Sequence, residues 1–420
     1  MTSRIVISGI GVASPFGVGR ERFWDHVSRG CSGTRAIADF DASEFACRVA
    51  APVPSVTIDD IPAIDGDDIW DPEYRADPKR YSRAALIGVI AAREAWADAG
   101  LAIAEPNAGV IVGSGGGGID VGERQYYDFF VERGKKVTPY AIPVSIVGMV
   151  SSEISISLRL RGISHVLSCG CTSSTDALGY AAALLRAGDA DVILSGGTDA
   201  CVTPGMIFGF SRMRAVSMAY NERPAEASRP FDKGRDGFVL GEGAWMVVLE
   251  REERARARGA RIYASVDGYG STCDAYHRVQ MAPDGEEIVR AITLAIGPRA
   301  RRNRLREFSR HLDRAQRCGG VAVCAAGVRI ARRSPGWIVG EIDDWSPPGR
   351  EWGGRRRDRR ARAVARISAA DDQPARSRSG LRPRRHRQRR PGRRRRSGAV
   401  QLSRLRIQEQ RDRHWPNVMC

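Results

Sequence analysis

The chain has 420 residues and carries 66 Lys plus Arg against 49 Asp plus Glu, a formal net charge of +17. That average conceals two sequences: residues 1–296 hold 31 basic against 38 acidic side chains (−7), whereas 297–420 hold 35, all Arg, against 11 (+24). The length suits two domains or two fused halves. No run of about eighteen apolar residues occurs, and no opening stretch joins basic, apolar and cleavage segments, so a soluble cytoplasmic protein with no membrane partner is expected.

Arg4 to Val12 reads as a buried strand, rich in β-branched residues, with Gly9, Gly11 and a Ser14-Pro15 turn as punctuation. Ser82 to Ala99 has helical period, placing Ala85, Leu86, Val89, Ile90 and Ala92 on one side, and Gly100 is its stop. Val110 to Gly113 is a short strand running into Gly115–Gly118. His165 to Ser168 is a strand, Ser173 to Arg186 a helix, and Asp191 to Ser195 a strand ended by Gly196-Gly197. Ala244 to Glu250 follows as a strand, with a charged helix start at Arg251. Ile262 to Val266 begins the pattern again, and Glu286 to Leu294 is helical. Strands alternating with helices predict an α/β fold whose sheet is covered on both faces. Beyond Gly297 periodicity fades, and 355–396 is mostly Arg, Ala, Ser, Pro and Gly, a composition expected to be disordered.

Nine cysteines are scattered without CxxC spacing, which argues against a zinc site or a disulfide framework and for a catalytic role for any special one. The informative segment is Val166-Leu-Ser-Cys169-Gly-Cys171-Thr-Ser-Ser-Thr-Asp176-Ala-Leu-Gly. A strand ends, a tight turn places Cys171, and a helix begins at once. Backbone N–H groups and the positive helix end there favour a thiolate, and the same N–H groups suit an oxyanion formed when it attacks a thioester. Cys169, on the strand side, reads as a buried structural cysteine. Gly9 and Gly11 lack the rest of a dinucleotide fingerprint, Gly115–Gly118 lacks the Lys-Ser/Thr of a phosphate loop, and His165 and His277 read as structural or surface residues.

The Gly-Cys-Thr-Ser-Ser-Thr-Asp-Ala stretch resembles the nucleophile elbow of the β-ketoacyl-acyl-carrier-protein synthases, especially the elongating type II enzymes of fatty-acid and aromatic polyketide assembly. The opening Arg4-Ile-Val-Ile-Ser-Gly-Ile-Gly-Val-Ala-Ser-Pro-Phe-Gly17, the turn Ile111-Val-Gly-Ser-Gly115 and the strand segment Gly188 to Asp199 are similar to the family in order and spacing. The most specific companion is Arg229-Pro-Phe-Asp-Lys-Gly-Arg-Asp-Gly-Phe-Val-Leu-Gly-Glu-Gly243; Asp274-Ala-Tyr-His277 with Pro283-Asp-Gly285 is looser. The resemblance covers residues 4–296. It implies a thiolase-like fold of two βαβαβαβαββ halves, with residues 1–258 as the first half and 259–296 beginning the second. It implies Cys171 as the acyl-accepting nucleophile and a condensation with malonyl-acyl carrier protein. It further implies a homodimer or a heterodimer with a related subunit. No metal or organic cofactor is expected, because the phosphopantetheine arm belongs to the carrier protein.

The family also carries histidines in His-Gly-Thr-Ser-Thr and Lys-Ser-Met-Ile-Gly-His segments and a Gly-Phe-Gly-type loop, and none stands in this sequence. Read from the second base of each codon, Glu307 to Cys318 permits Asn-Ser-His-Gly-Thr-Ser-Thr-x-Leu-Asn-Asp, Gly340 to Pro347 permits Lys-Ser-Met-Ile-Gly-His, and Leu405-Arg-Ile407 permits Phe-Gly-Phe. Three motifs in one frame and in the right order point to a one-base frame change close to Ile296–Gly297, making 297–420 an out-of-frame tail. The Arg clusters alone would suit a nucleic-acid partner, a reading the frame change disfavours. A thiolase or priming ketosynthase also uses an elbow cysteine, but the shifted motifs favour elongation. A non-catalytic chain-length subunit is disfavoured by Cys171, since such subunits replace the nucleophile. Fatty-acid and polyketide duty both stay open.

Overall fold

The computed structural model describes residues 3–64, 66, 78–133, 137–230, 232–277 and 281–297. The reading of 298–420 as a tail, and the shifted motifs within it, lie outside those residues.

The chain opens with β1 (Ile5–Ser14), a tight turn to β2 (Gly17–Val18) and α1 (Arg20–Ser28). A small hairpin, β3 (Arg35–Ala36) with β4 (Val49–Ala50), precedes α2 (Arg83–Asp98) and β5 (Ala108–Gly113). Then come α3 (Ile119–Phe130), α4 (Ala141–Ser145), α5 (Met149–Leu158), β6 (Ser164–Leu167) and α6 (Ser173–Ala187). β7 (Val192–Ala200), α7 (Pro204–Arg212), β8 (Glu242–Arg251) and α8 (Glu252–Ala257) follow, and β9 (Ala264–Val266) and α9 (Glu286–Ile296) end the described part. The sequence reading contains neither α1 nor α3 to α5 nor α7.

One sheet organises these elements, in the order β2-β1-β8-β7-β5-β6, with β9 also paired to β1. β7, β5 and β6 run parallel, while β8 lies antiparallel between β1 and β7. Alternation along each strand sorts its side chains. Val110, Val112, Val192, Leu194, Met246 and Val248 face one core with α2 and α5. Ile111, Ile193, Val247 and Leu249 face the other core, built on Ala177, Ala181 and Leu185 of α6. Each fully buried aliphatic side chain contributes roughly 1.5–3 kcal/mol, so both helical layers are strongly held. The expected sheet covered on both faces is what forms.

α2 starts where the sequence placed it, because the Ser82 hydroxyl accepts the Ala85 N–H at 3.2 Å and caps the helix. Its expected one-sided apolar stripe differs from the structure: α2 is buried nearly all round, Arg93 included. The Arg93 guanidinium donates to the carbonyls of Pro62 (2.6 Å) and Ser157 (2.9 Å), which satisfies it inside the core. Small residues allow this depth. A Cβ on Gly9 or Gly11 would lie 2.1 Å from the Ala95 carbonyl oxygen or 1.9 Å from that of Ala91, so helix and strand touch backbone to backbone. Those two glycines therefore serve helix–strand packing. The N–H groups of Ile10 and Val12 donate to Asp98 (2.9 Å) and Glu94 (2.8 Å) of the same helix.

β7 corrects the expectation that Gly196-Gly197 ends it; the strand continues to Ala200, paired with β8 throughout. Gly196 has φ +137, and a Cβ there would sit 2.0 Å from the Trp245 carbonyl oxygen. The glycine pair is a close crossing, not a stop.

At the far end of β8 the fully buried Glu250 accepts from Arg254 (2.6 Å) and Arg258 (2.5 Å), and Arg254 also reaches Glu105 (2.5 Å). Burial pushes the Glu250 carboxyl up, but the bonds from Arg258 and Arg254 outweigh it and hold it below its ordinary value of 4.5. Such a group stabilises the fold above its unfolded-state value, and the contribution disappears as pH falls through the lower folded-state value. Glu250→Ala is expected to cost about 3 kcal/mol at pH 7, since two half-buried guanidinium groups lose their shared partner. Urea unfolding of both proteins checks this, and the gap between them should narrow once pH drops below 4.5. An unchanged urea midpoint at pH 7 would contradict it. No helix among the described residues is long and apolar enough to cross a membrane.

Candidate active site

β6 ends at Leu167, a single 3-10 turn spans Gly170–Thr172, and α6 begins at Ser173. The expected strand–turn–helix passage is thus present, with Cys171 in the turn and exposed. Gly170 has φ +77, the left-handed region where a side chain is strained, and beyond its chain neighbours no atom lies within 4 Å of where its Cβ would be. Ser173 fastens the turn from within: its hydroxyl accepts the Cys169 N–H at 2.9 Å and donates to the Gly170 carbonyl at 2.6 Å.

Two strands beneath the turn set its position. A Cβ on Gly113, the last residue of β5, would lie 2.2 Å from the Ser173 carbonyl carbon and 2.3 Å from the Ser174 nitrogen. One on Gly197 of β7 would lie 2.5 Å from the Ser174 Cβ. The first turn of α6 therefore rests directly on the strand backbones. The Gly115–Gly118 run also has an occupant. Asp199 accepts the N–H groups of Gly115 (3.0 Å) and Gly116 (2.8 Å) and the Ser114 hydroxyl (3.0 Å), so a carboxylate from β7 fills what could have been an anion cradle.

Cys169 is exposed, which corrects the expectation of a buried structural cysteine; the turn lifts both thiols out of the sheet because β6 ends two residues earlier. Its thiol is nevertheless pushed up, by partial burial first and then by the nearby Asp176 charge. Asp176 belongs to the first turn of α6, so the helix end that favours an anion also holds one. It is buried, with Thr172 donating to Oδ2 at 2.7 Å and the Tyr269 hydroxyl donating to Oδ1. Burial, and then that bond, push the Tyr269 phenol up to about 12. Cys201 is buried beside Gly116 and Asp199, away from solvent.

The model of the family described as Beta-ketoacyl synthase, N-terminal domain, matches residues 2–255. The chain belongs to the β-ketoacyl synthase family. Its relatives include the 3-oxoacyl-acyl-carrier-protein synthase 2 of Coxiella burnetii, 39% identical over 289 residues, 67% of this chain and 66% of that one. The enzyme of the same name from Synechocystis is 38% identical, over 70% of this chain and 68% of that one. The chain thus spans about two thirds of the length of the curated relatives it matches. Among solved structures, the ishigamide ketosynthase/chain length factor is 31% identical with a TM-score of 0.62, covering 70% of each chain. A β-ketoacyl synthase from Burkholderia phymatum gives 29% and 0.61, again over 70% of each chain. A type II PKS acyl-carrier protein in complex with its ketosynthase bound to the hexaketide gives 27% and 0.58 over 70% of each chain. The fold is thiolase-like, as the motif resemblance implied.

Other family-like segments turn out to brace the ketosynthase scaffold. In the Arg229–Gly243 stretch, Asp236 accepts the N–H groups of Met218 and Ala219, each at 2.7 Å, and buried Glu242 pairs with Arg83 at 2.8 Å. His277 is exposed, and His165 is exposed and stacked on Tyr180 with ring centroids 6.5 Å apart, so both lie at the surface, one of the two places expected of them. The sequence reading missed Asp176 as a polar anchor, although it stands inside the elbow motif. It had no signal for Tyr269, which the fold brings in from 93 residues away.

Proposed function

We propose that Cys171 is the acyl-accepting nucleophile of a β-ketoacyl synthase acting on acyl and malonyl thioesters of an acyl carrier protein. The observation that carries this reading is an exposed thiol in the turn between β6 and the start of α6, inside the segment matched by the family. The thiolate attacks the acyl thioester carbonyl, an oxyanion forms against backbone N–H groups, and the pantetheine thiol leaves. A malonyl thioester then loses carbon dioxide, its enolate attacks the Cys171-bound carbonyl, and the thiolate is expelled. The arm that delivers both groups is the phosphopantetheine of the carrier, so no resident cofactor is called for.

Enolate formation needs N–H donors and proton handling that the family draws from two histidines. In this chain those motifs are readable only out of frame, within 297–420. The reading therefore includes a one-base change near Ile296–Gly297, with 1–258 as the first half and 259–296 as the start of the second. A related subunit, identical or chain-length-setting, is the expected companion. Supporting that, Tyr126, Tyr127, Phe129 and Phe130 on α3 are exposed, a density of aromatic surface that suits a protein interface.

The test compares the 420-residue chain with a chain restored by one base near codon 297. The restored protein should release carbon dioxide and form the β-ketoacyl product from malonyl-carrier, whereas the 420-residue chain should form none while simple thioesters still acylate its Cys171. Efficient condensation by the unrestored chain would refute the frame change.

A further inference from the structure

Tyr269, in the loop after β9, is docked on the nucleophile helix with a fit that packing alone does not require. Its ring lies over Gly179, where a Cβ would stand 2.3–2.5 Å from the ring carbons, so only glycine leaves it room. Gly179 and Asp176 are three residues apart on α6 and so share a face. The ring seated at one turn brings its hydroxyl to the other. There it donates to Asp176 Oδ1, while Thr172 Oγ1 donates to Oδ2 at 2.7 Å. Asp176 is buried, and its two oxygens are thus held by one hydroxyl from the loop and one from the turn. Thr172 closes the 3-10 turn that contains Cys171 and is its immediate neighbour.

We propose that Tyr269 is a positioning residue for the nucleophile: seated on Gly179, it fixes Asp176, which fixes Thr172 and with it the direction of Cys171. The proposal rests on the reading of Cys171 as the acyl acceptor. Its chemistry is selective. Acyl transfer needs the thiolate aimed at a carbonyl whose oxygen meets backbone N–H groups, and misplacement on the order of 1 Å costs about a hundredfold. Alkylation by a small electrophile needs the thiolate alone.

The experiment uses the full chain, its Tyr269→Phe, Tyr269→Leu and Thr172→Val variants, a short acyl-pantetheine thioester and iodoacetamide, with adducts at Cys171 quantified by peptide mass mapping. Phe keeps the ring in its socket and removes only the hydroxyl. All three variants should load the acyl group at least about tenfold more slowly while alkylation stays within about twofold and far-UV circular dichroism is unchanged. Full loading by Tyr269→Phe beside slow loading by Tyr269→Leu would reduce Tyr269 to ring packing and overturn the proposal. A parallel fall in loading and alkylation in every variant would also overturn it, since general loosening then explains both. A wild-type chain alkylated but never acylated at Cys171 would instead sink the nucleophile assignment itself.

Discussion

Cys171→Ala should abolish acyl loading, with the residual rate at least about 10³-fold below that of the parent chain. The size follows from the chemistry. Covalent transfer has no route without a nucleophile, and the backbone N–H groups that remain can polarise a thioester but cannot accept its acyl group. Cys169 offers a poorer substitute two residues away, because local desolvation and then the Asp176 charge push its thiol up and so disfavour its thiolate. Cys201 is buried behind the glycine run and out of reach of a carrier-borne substrate. Cys169→Ala is accordingly expected to load within about threefold of the parent. The measurement is peptide mass mapping of Cys169, Cys171 and Cys201 after incubation with an acyl thioester or a cerulenin-like electrophile. Adducts on Cys169 or Cys201 with Cys171 untouched would reverse the assignment.

Gly113→Val should cost about 3 kcal/mol or more and suppress loading as well, although residue 113 carries no chemistry. The first new carbon already lies 2.2 Å from the Ser173 carbonyl carbon and 2.3 Å from the Ser174 nitrogen, contacts that no rotamer can relieve. Backbone must move, and overpacking of that kind costs roughly 1–3 kcal/mol, sometimes more. The segment free to yield is the first turn of α6, because β5 is pinned between β6 and β7 by hydrogen bonds on both edges. Ser173 would shift with it, and the two bonds it makes to Cys169 and Gly170 would carry the distortion into the turn that holds Cys171. Urea unfolding and acyl loading should therefore fall together. Gly109→Val, at the other end of β5, is the informative control, because a Cβ there meets the Ile163 carbonyl oxygen at 2.7 Å, remote from the elbow. It should cost stability while the folded fraction still loads. Normal loading by folded Gly113→Val would show that the turn does not depend on this contact.

The sequence by itself determined the elements whose stability is local or patterned. Ser82 and Gly100 bracket α2 because a hydroxyl cap and a left-handed glycine act within one turn of the chain. β5, β6 and β8 were legible as short apolar runs between turn residues, and Cys171 as a thiol between a strand and a helix. Most of the elements the sequence did not show lack such punctuation, although α7 was missed with Thr203 as its cap and Pro204 as its first residue. α3 ends in Tyr126, Tyr127, Phe129 and Phe130, an apolar cluster that is exposed and so shows no buried stripe. The glycines misled for a related reason. Gly196-Gly197 carries the local signature of a stop, and only the neighbouring β8 and α6 reveal that both positions lie inside a strand where nothing larger fits.

The tertiary structure alone decided the surroundings of the thiol. That Cys169 is exposed depends on where β6 ends and how the turn leaves the sheet, which no residue type encodes. That Asp199 fills the glycine cradle depends on β5 and β7 being neighbours in parallel register, a pairing between segments more than eighty residues apart. Tyr269 reaches Asp176 for the same kind of reason: β9 pairs with β1, and the chain that follows it crosses the nucleophile helix. A motif records the chemistry a few adjacent residues can hold. Where those residues point is set by backbone contacts among distant strands, and it is there that a single added carbon, at Gly113 or Gly179, would be felt.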